Sequence, residues 1–298
     1  CASKDSDGAS ATSSGVGYAW GVAIRPQGEG GHFWVGAGGT SFEFVGDVTA
    51  SPDPALRTLH QDALHEVSVP GADADTSEAG LGKTTGVVFN PAPLNSDSFA
   101  VTGQPVRVDG RQELLGGSSR FLFATDSGRI SGWTERGADG RIVRHDGPAK
   151  EMFNGESAGM SFFGLALAPG RDDTLWAADF GAEPQIRQFD KAWQPVATHG
   201  FANPFATGDP LDSADPNGGK HARPGDPAPL NIGSSGDRVF VTYATTKAAE
   251  NGTGFDAGEE DSLDAEQETA SGDRPDRGKV AEFDAAGNLV RVLDDQGR

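Results

Sequence analysis

The apolar positions of this chain fall into short runs that recur in a fixed order between residues 19 and 293. Each repeat opens with a run in which a glycine precedes apolar residues, and a second apolar run follows. A third run alternates and ends at or near an aromatic residue, and a fourth is shorter and more polar. Continuous apolar runs indicate strands buried on both faces, whereas alternation indicates a strand with one face in water. The order therefore predicts four-stranded units with buried inner strands and a polar outer strand.

Four such repeats are visible, and turn residues separate the third from the fourth strand most clearly at 137–140 and 285–288, where Gly and Asn tolerate positive φ. In order from first to fourth strand, the predicted strands are 20–24, 33–36, 41–44 and 65–69; 85–89, 121–125, 129–133 and 141–144; 163–167, 175–178, 185–190 and 195–197; and 230–233, 239–242, 279–284 and 289–293.

Repeated four-stranded units are typical of an all-β fold, the β-propeller with four-stranded blades. A β-sandwich with chance similarity between its strands is the alternative. The first strands begin 65 to 78 residues apart, which is longer than a compact blade. We therefore expect residues 17–298 to form a propeller domain with irregular loop insertions at 91–119, 203–229 and 246–278. The first of these has room for an extra hairpin, and the last is strongly acidic.

The amino terminus predicts a lipid anchor. Cys1 is the one cysteine of the chain, and residues 1–16 are mostly Ser, Ala, Gly and Asp without periodicity. A start of this kind is typical of a bacterial lipoprotein after removal of its signal peptide, with acyl chains on Cys1 and a flexible tether behind it. A tag remnant or a chance boundary is the alternative. Ala2 is not the Asp of inner-membrane retention, which favours the outer membrane.

The overall charge limits the partners. The formal net charge is −20, whereas nucleic acids and anionic membrane surfaces attract basic proteins. No window of about 18 apolar residues is present to span a bilayer. We therefore expect no nucleic-acid partner, and an acidic surface that suits solubility, divalent cations or a basic protein.

Three polar side chains follow the second strand at equivalent places in the second, third and fourth repeats. They are Asp126, Asp179 and Tyr243. Oxygen ligands that converge at one end of a propeller channel would hold Ca²⁺ or a polar ligand. The first repeat has Ala37 at this place, and aspartates that cap turns are the alternative explanation. No other cofactor is expected, and the metal, if any, is left open.

Residues 155–159 match the Gly-x-Ser-x-Gly pattern of a catalytic serine turn. That chemistry needs a strand before the serine and a helix after it. Residues 150–154 form a poor strand by composition, and 160–163 lead directly into the next β-repeat. Catalysis by Ser157 is therefore not expected.

With these motifs in place, the chain resembles a bacterial family of exported, propeller-like proteins of uncharacterised activity. The resemblance implies a propeller, six-bladed in the relatives, and a site outside the cytoplasm, but no activity. Relatives continue with another Trp-Gly repeat, so four repeats mean either a four-bladed ring or a chain shorter than its relatives. The matching segments are 20–23, 85–90, 120–133, 164–167, 175–180, 231–233, 241–244 and 287–290.

These observations leave two main hypotheses of function, because fold alone does not decide between them. The first is a non-enzymatic binding or scaffold protein, lipid-anchored in the periplasm or at the cell surface. Its partner would be another extracytoplasmic or membrane protein, as in an accessory subunit of a larger membrane assembly. The second is a divalent-metal-dependent hydrolase or lactonase that uses Asp126 and Asp179. A small-molecule or glycan binder is a third.

Overall fold

The computed structural model describes residues 16, 19–25, 32–45, 52, 54, 64, 66–72, 82–248, 255–257 and 278–293. Regular structure in these ranges is almost entirely β-strand. The chain divides into two compact units, one formed by residues 1–154 with 190–194 and the other by 155–189 with 195–298. Cys1, the rest of the tether before residue 16, and most of the acidic insertion at 246–278 lie outside the described residues.

The first unit contains two four-stranded antiparallel sheets and a hairpin. In sheet I the strands lie in chain order, whereas sheet II receives the hairpin between its first and second strands. Sheet I consists of β1 (Ala19–Ile24), β2 (His32–Ala37), β3 (Thr40–Val45) and β4 (Glu66–Ser68). Sheet II begins with β5 (Thr84–Phe89), is followed by the hairpin of β6 (Ala100–Val108) and β7 (Arg111–Ser118), and continues with β8 (Phe121–Thr125), β9 (Arg129–Trp133) and β10 (Lys150–Asn154).

The second unit repeats this plan. Sheet III is a plain four-stranded meander, and sheet IV is preceded by a short hairpin and carries a small strand that pairs with the end of its second strand. Sheet III consists of β11 (Phe162–Leu167), β12 (Thr174–Asp179), β13 (Gln185–Asp190) and β14 (Pro195–Val196). The hairpin of β15 (Pro210–Asp212) and β16 (Asp215–Lys220) leads to β17 (Pro227–Ser235), β18 (Arg238–Ala248), β19 (Phe255–Ala257), β20 (Lys279–Asp284) and β21 (Leu289–Leu293), of which β19 is the added strand of sheet IV.

The predicted fold class is confirmed by these sheets, because each contains four antiparallel strands in the order of a blade, with β19 added to sheet IV. One strand was placed wrongly. Residues 141–144 are not the outer strand of sheet II, since Ile142 makes only an isolated bridge to Arg136 across the turn. The outer strand is β10, which pairs with β9 from Lys150 to Asn154. Polar outer strands carry a weak apolar signal, so the nearer Ile-Val pair was mistaken for the strand.

The insertions are more ordered than predicted. Residues 91–119 hold the expected hairpin. The prediction that this segment is an irregular loop is wrong, because β6 and β7 occupy most of it. The insertion at 203–229 likewise contains β15, β16 and the start of β17. Of residues 246–278, the described ones include the pairing of β18 with β19.

Aromatic side chains fill the core between sheets I and II. Trp34 of β2 stacks on Phe121 of β8 at 4.4 Å between ring centroids, and it also contacts Trp133 of β9 at 5.1 Å. All three are almost fully buried. Large rings of this kind supply much of the apolar burial that stabilises a β core.

Glycine in the first strand of a sheet allows the neighbouring first strand to approach. A Cβ on Gly21 of β1 would lie 2.9 Å from the backbone nitrogen of Val87 on β5. In the second unit, a Cβ on Gly164 of β11 would lie 2.9 Å from the backbone nitrogen of Ile232 on β17. Contacts this short exclude a side chain, so Gly21 and Gly164 each mark a close backbone approach.

Candidate functional site

Asp126 follows β8 directly and binds the segment that enters β5. Its Oδ1 accepts hydrogen bonds from the backbone nitrogens of Gly82 at 2.6 Å and Lys83 at 2.7 Å. The side chain is almost buried. Burial raises the pKa of the Asp126 carboxyl, and the two backbone hydrogen bonds oppose that rise. The carboxylate thus holds the end of the second strand of sheet II to the entrance of the first.

Asp179 has the same role in sheet III. It is the last residue of β12, and its Oδ1 accepts from the backbone nitrogens of Ser161, directly before β11, and of Gly181, both at 2.9 Å. Its Oδ2 accepts from Nε of Arg187 at 2.9 Å. The side chain is fully buried. Burial raises the pKa of this carboxyl, and the backbone amides and Arg187 oppose the rise.

Tyr243 differs from the two aspartates because it lies inside a strand. β18 continues past it to Ala248, and its hydroxyl is buried without a hydrogen-bond partner among the described residues. Its ring packs edge-on against Phe205 at 4.9 Å. Burial raises the pKa of the phenol. In sheet IV it is Thr246 that holds the entering segment, since its Oγ1 donates to the carbonyl oxygen of Asp226 at 2.9 Å.

These contacts offer little to calcium, which takes six to eight oxygen ligands. Both oxygens of Asp179 already accept hydrogen bonds from nitrogen donors, and the hydroxyl of Tyr243 lies within an apolar cluster. Asp126 belongs to the first unit, and Asp179 and Tyr243 belong to the second. Across the described ranges, no three His, Cys, Asp or Glu side chains gather to hold a metal ion. Metal binding here stays a prediction, and the geometry favours the capping role.

The Gly-x-Ser-x-Gly segment has only half of the context that a catalytic serine needs. Residues 150–154, expected to be a poor strand, do form β10, so that expectation was wrong. After it comes one 3-10 turn, Glu156–Ala158, and Gly159 then turns the chain with φ of 66°. No α-helix lies between this turn and β11. The exposed Ser157 therefore sits in a surface turn.

Sheet I has one apolar face that is incompletely covered. We call it the open face, and it consists of two rows that cross β1, β2 and β3. The strand register places Val22 beside Val35 and Val35 beside Phe42; in the other row, Ile24 is beside Phe33 and Phe33 beside Phe44.

The open face is covered at β3 and exposed at β1. Phe42 and Phe44 are buried, whereas Val22 is 62% exposed and Ile24 is 70% exposed. The alternate residues of β1, Gly21 and Ala23, lie on the opposite face, towards sheet II. The prediction that inner strands are buried on both faces is therefore wrong for β1, because its outward side chains Val22 and Ile24 are largely exposed.

A signal for this face was present in the sequence. Along β1 the large side chains of Trp20, Val22 and Ile24 alternate with the small ones of Gly21 and Ala23. Alternation in size separates a closely packed face from a wider one, just as alternation in polarity separates core from solvent. An apolar run interpreted as uniformly buried hides this difference.

Within the described part of the chain, no helix has the length and apolar character needed to cross a bilayer. No protein-family model matches the sequence, and no curated protein does either.

Solved structures similar to this chain include propellers. The Dos1 propeller is 12% identical with a TM-score of 0.37, over 93% of this chain and 61% of that one. The WD40 domain of Neurospora crassa Pan2 is 12% identical with a TM-score of 0.32, over 93% and 66%. The chain thus spans under two thirds of the length of either. A protein of unknown function from Bacteroides caccae is 11% identical with a TM-score of 0.29, over 94% and 82%. With TM-scores below 0.5, the fold class rests on the four-stranded sheets themselves.

Proposed function

We propose that this chain is a binding or scaffold protein of an exported bacterial family, held at a membrane by a lipid on Cys1. It works outside the cytoplasm and docks another extracytoplasmic or membrane protein through the open face of sheet I. In this role it would serve as an accessory subunit of a membrane assembly. The observation that carries the proposal is the exposure of Val22 and Ile24, at the end of two apolar rows whose other members are buried or partly buried.

The open face favours a protein partner because contiguous exposed apolar surface is uncommon on soluble proteins and marks interaction sites. Full burial of a Val or Ile side chain is worth about 1.5–3 kcal/mol. Val22 and Ile24 continue rows in which their neighbours, Val35 and Phe33, are already partly buried. A partner that covers β1 would therefore complete an existing core layer rather than build a new one.

The shape and charge of the surface define the partner. The opposite face of sheet I packs against sheet II, and a second sheet at the usual spacing of about 10 Å would suit the open face in the same way. A second copy of this chain is disfavoured, because each copy carries a net charge of −20. The partner is thus a different protein, with an apolar sheet face and a neutral or basic rim.

The hydrolase or lactonase hypothesis has weaker support. It places Asp126 and Asp179 at a metal, but the Oδ1 atom of each already accepts two backbone hydrogen bonds. Those bonds explain why each aspartate follows a second strand without any ligand.

Photo-crosslinking in intact cells tests the proposal. A benzophenone amino acid at Ile24 should give one discrete crosslinked product, and the same residue at the exposed Val196 serves as the matched control. Val22→Lys should abolish the product at Ile24 while circular dichroism stays unchanged. The proposal is wrong if both positions give the same products, if the Ile24 product survives Val22→Lys, or if the partner is cytoplasmic.

A second experiment tests the anchor separately. Metabolic labelling with an alkyne fatty acid should mark the mature chain, and Cys1→Ser should remove both the label and the membrane association. A labelled chain with Cys1→Ser would contradict lipidation at this residue.

A further inference from the structure

The outer strand of each sheet has one side on which a further strand could pair, and sheet edges of this kind are usually blocked. In sheet I the block is another segment of the chain. The carbonyl of Ser68, at the end of β4, accepts a hydrogen bond from the backbone nitrogen of Ala149 at 3.0 Å. β4 is also only three residues long.

Two further edges are blocked by other means. In sheet II, β10 carries charges at its start, and Nζ of Lys150 donates to the carbonyl of Thr102 on β6 at 2.6 Å. Glu151 on the same strand forms an ion pair with Arg129 at 3.0 Å. In sheet III, β14 has only two residues and begins with Pro195, which has no N–H to donate.

Sheet IV is less protected, because its outer strand β21 carries one charged residue, Arg291, among aliphatic ones. β21 has five residues, four of them aliphatic, and each of its side chains is exposed. In the described part of the chain β21 pairs only with β20. We call residues 289–293 the β21 edge. Its aliphatic members are 37–47% exposed and are Leu289, Val290, Val292 and Leu293.

The charge of the chain indicates what binds at this edge. Glu282 on β20 already pairs with Arg291 at 2.6 Å, so the one cation of β21 is neutralised. In the sequence, Asp294 and Asp295 follow the strand directly, and residues 246–278 before β20 contain ten Asp and Glu against three Lys and Arg. A second copy of this acidic chain would be repelled, whereas a basic segment would be attracted.

We propose that the β21 edge binds an extended aliphatic segment with flanking Lys or Arg residues, taken from a partner protein and added as a further strand of sheet IV. Main-chain hydrogen bonds supply the pairing, and alternate side chains contact the exposed aliphatic residues. This proposal rests on other residues than the open face of sheet I, so either can fail alone.

Fluorescence anisotropy with labelled model peptides tests it on the full chain. The probe KKVTVTVKK should bind, and EEVTVTVEE should bind at least tenfold more weakly at low salt, with a smaller difference at high salt. The probe KKVTPTVKK, in which proline removes a ladder donor, should also bind at least tenfold more weakly. Equal binding of the basic and acidic peptides, or of the two basic ones, would overturn the proposal.

Variants locate the site. Val292→Lys should weaken binding of KKVTVTVKK at least tenfold, and Val196→Lys, at a residue 39% exposed on the short edge strand β14, should leave it unchanged. If Val292→Lys disturbs folding, hydrogen exchange of the unmodified chain decides, since the peptide should protect amides of β21. Absence of that protection overturns the proposal. So does sedimentation showing a dimer that Val292→Lys dissociates, because a second copy would then occupy the edge.

Discussion

Ser161 donates its backbone N–H to the carboxylate of Asp179 across 2.9 Å, joining the residue before β11 to the last residue of β12. Lys83, directly before β5, and Asp126, directly after β8, are joined in a similar way in sheet II at 2.7 Å. A strand that enters a sheet carries a backbone donor that has not yet reached its ladder partner, and a buried donor must be satisfied. The aspartate after the second strand supplies the acceptor, which explains its recurrence without any bound ligand.

Loss of the Asp179 carboxylate should destabilise the second unit. Asp179→Ala leaves two backbone donors and Arg187 without their acceptor, so we expect a loss of about 3 kcal/mol, as for other broken buried pairs. Asp179→Asn should also destabilise, because its amide nitrogen would face Nε of Arg187. Urea unfolding followed by circular dichroism measures both, and Asp173→Asn, at an exposed ion pair with Arg171, is the control expected to change little. A near-neutral Asp179→Ala would contradict the structural role.

Asp126 should respond differently to the same two substitutions. Both amide donors reach Oδ1, which Asp126→Asn retains, so this variant should be near neutral whereas Asp126→Ala loses about 1–3 kcal/mol.

Burial raises the pKa of Asp126 above 3.8, so its stabilising contribution is complete below pH 3.8 and is lost as pH rises through the folded-state pKa. Between pH 3 and 7, the free energy of unfolding should therefore fall less, or rise more, in Asp126→Asn than in the unmodified chain. An identical pH dependence in both would show that this carboxyl makes no such contribution.

Close approach of β11 and β17 should make Gly164 intolerant of a side chain. A Cβ there would meet Oδ1 of Asn231 at 2.0 Å and the backbone nitrogen of Ile232 at 2.9 Å. The Asn side chain can turn away but the backbone cannot, so we expect Gly164→Ala to cost about 2 kcal/mol. Gly233→Ala on β17, where a Cβ meets nothing within 4 Å, is the matched control. Equal thermal midpoints for the two variants would show that the strands separate easily.

The stability of the first unit should fall in mild acid because of His145. This buried ring lies 4.7 Å from Trp133, its Nε2 donates to the carbonyl of Thr134 at 2.8 Å, and its Nδ1 accepts from the backbone nitrogen of Gly147 at 3.1 Å. Protonation at Nδ1 would place its N–H against the backbone N–H of Gly147, so that two donors face each other. Burial lowers the pKa of His145 below 6.5, and hydrogen bonding to Thr134 and the charges of Asp146 and Glu135 oppose this shift.

The sign of the effect follows from that shift. The unfolded chain takes up the proton near pH 6.5 before the folded chain does, so the stability supplied by neutral His145 is complete above that pH. It is lost as pH falls from 6.5 through the folded-state pKa. Urea midpoints measured between pH 7.5 and 5 should decline less in His145→Gln than in the unmodified chain, with the exposed His199→Gln as control. Parallel declines in all three would assign the acid sensitivity to other groups.

Local pattern was enough to place most strands. Close backbone approaches fix the glycines at Gly21 and Gly164, and a ring stack fixes Trp34 in sheet I. The outer strands are harder, because they contribute few apolar residues, and β10 was missed for that reason. A strand at the edge of a sheet carries little signal beyond a tolerance for polar residues.

The role of the candidate site residues could not be predicted, because it depends on which backbone groups their side chains meet in the folded chain. The acceptor at Asp126 serves donors 43 and 44 residues earlier, and the one at Asp179 serves a donor 18 residues earlier. Sequence shows that the aspartates recur but not which backbone groups they meet. The exposure of Val22 is equally non-local, since burial of an apolar strand depends on what the rest of the chain lays over it.

The hairpin of β6 and β7 enters sheet II between two strands that still pair with each other, so the sheet accommodates foreign sequence without losing its order. At the hairpin tip, Asp109 and Gly110 have φ of 49° and 78°, and a Cβ on Gly110 would meet nothing within 4 Å. An epitope or a small fluorescent reporter spliced in here would project into solvent and leave the blade intact. The tip is thus a suitable insertion site for a reporter that shows the location of the chain in living cells.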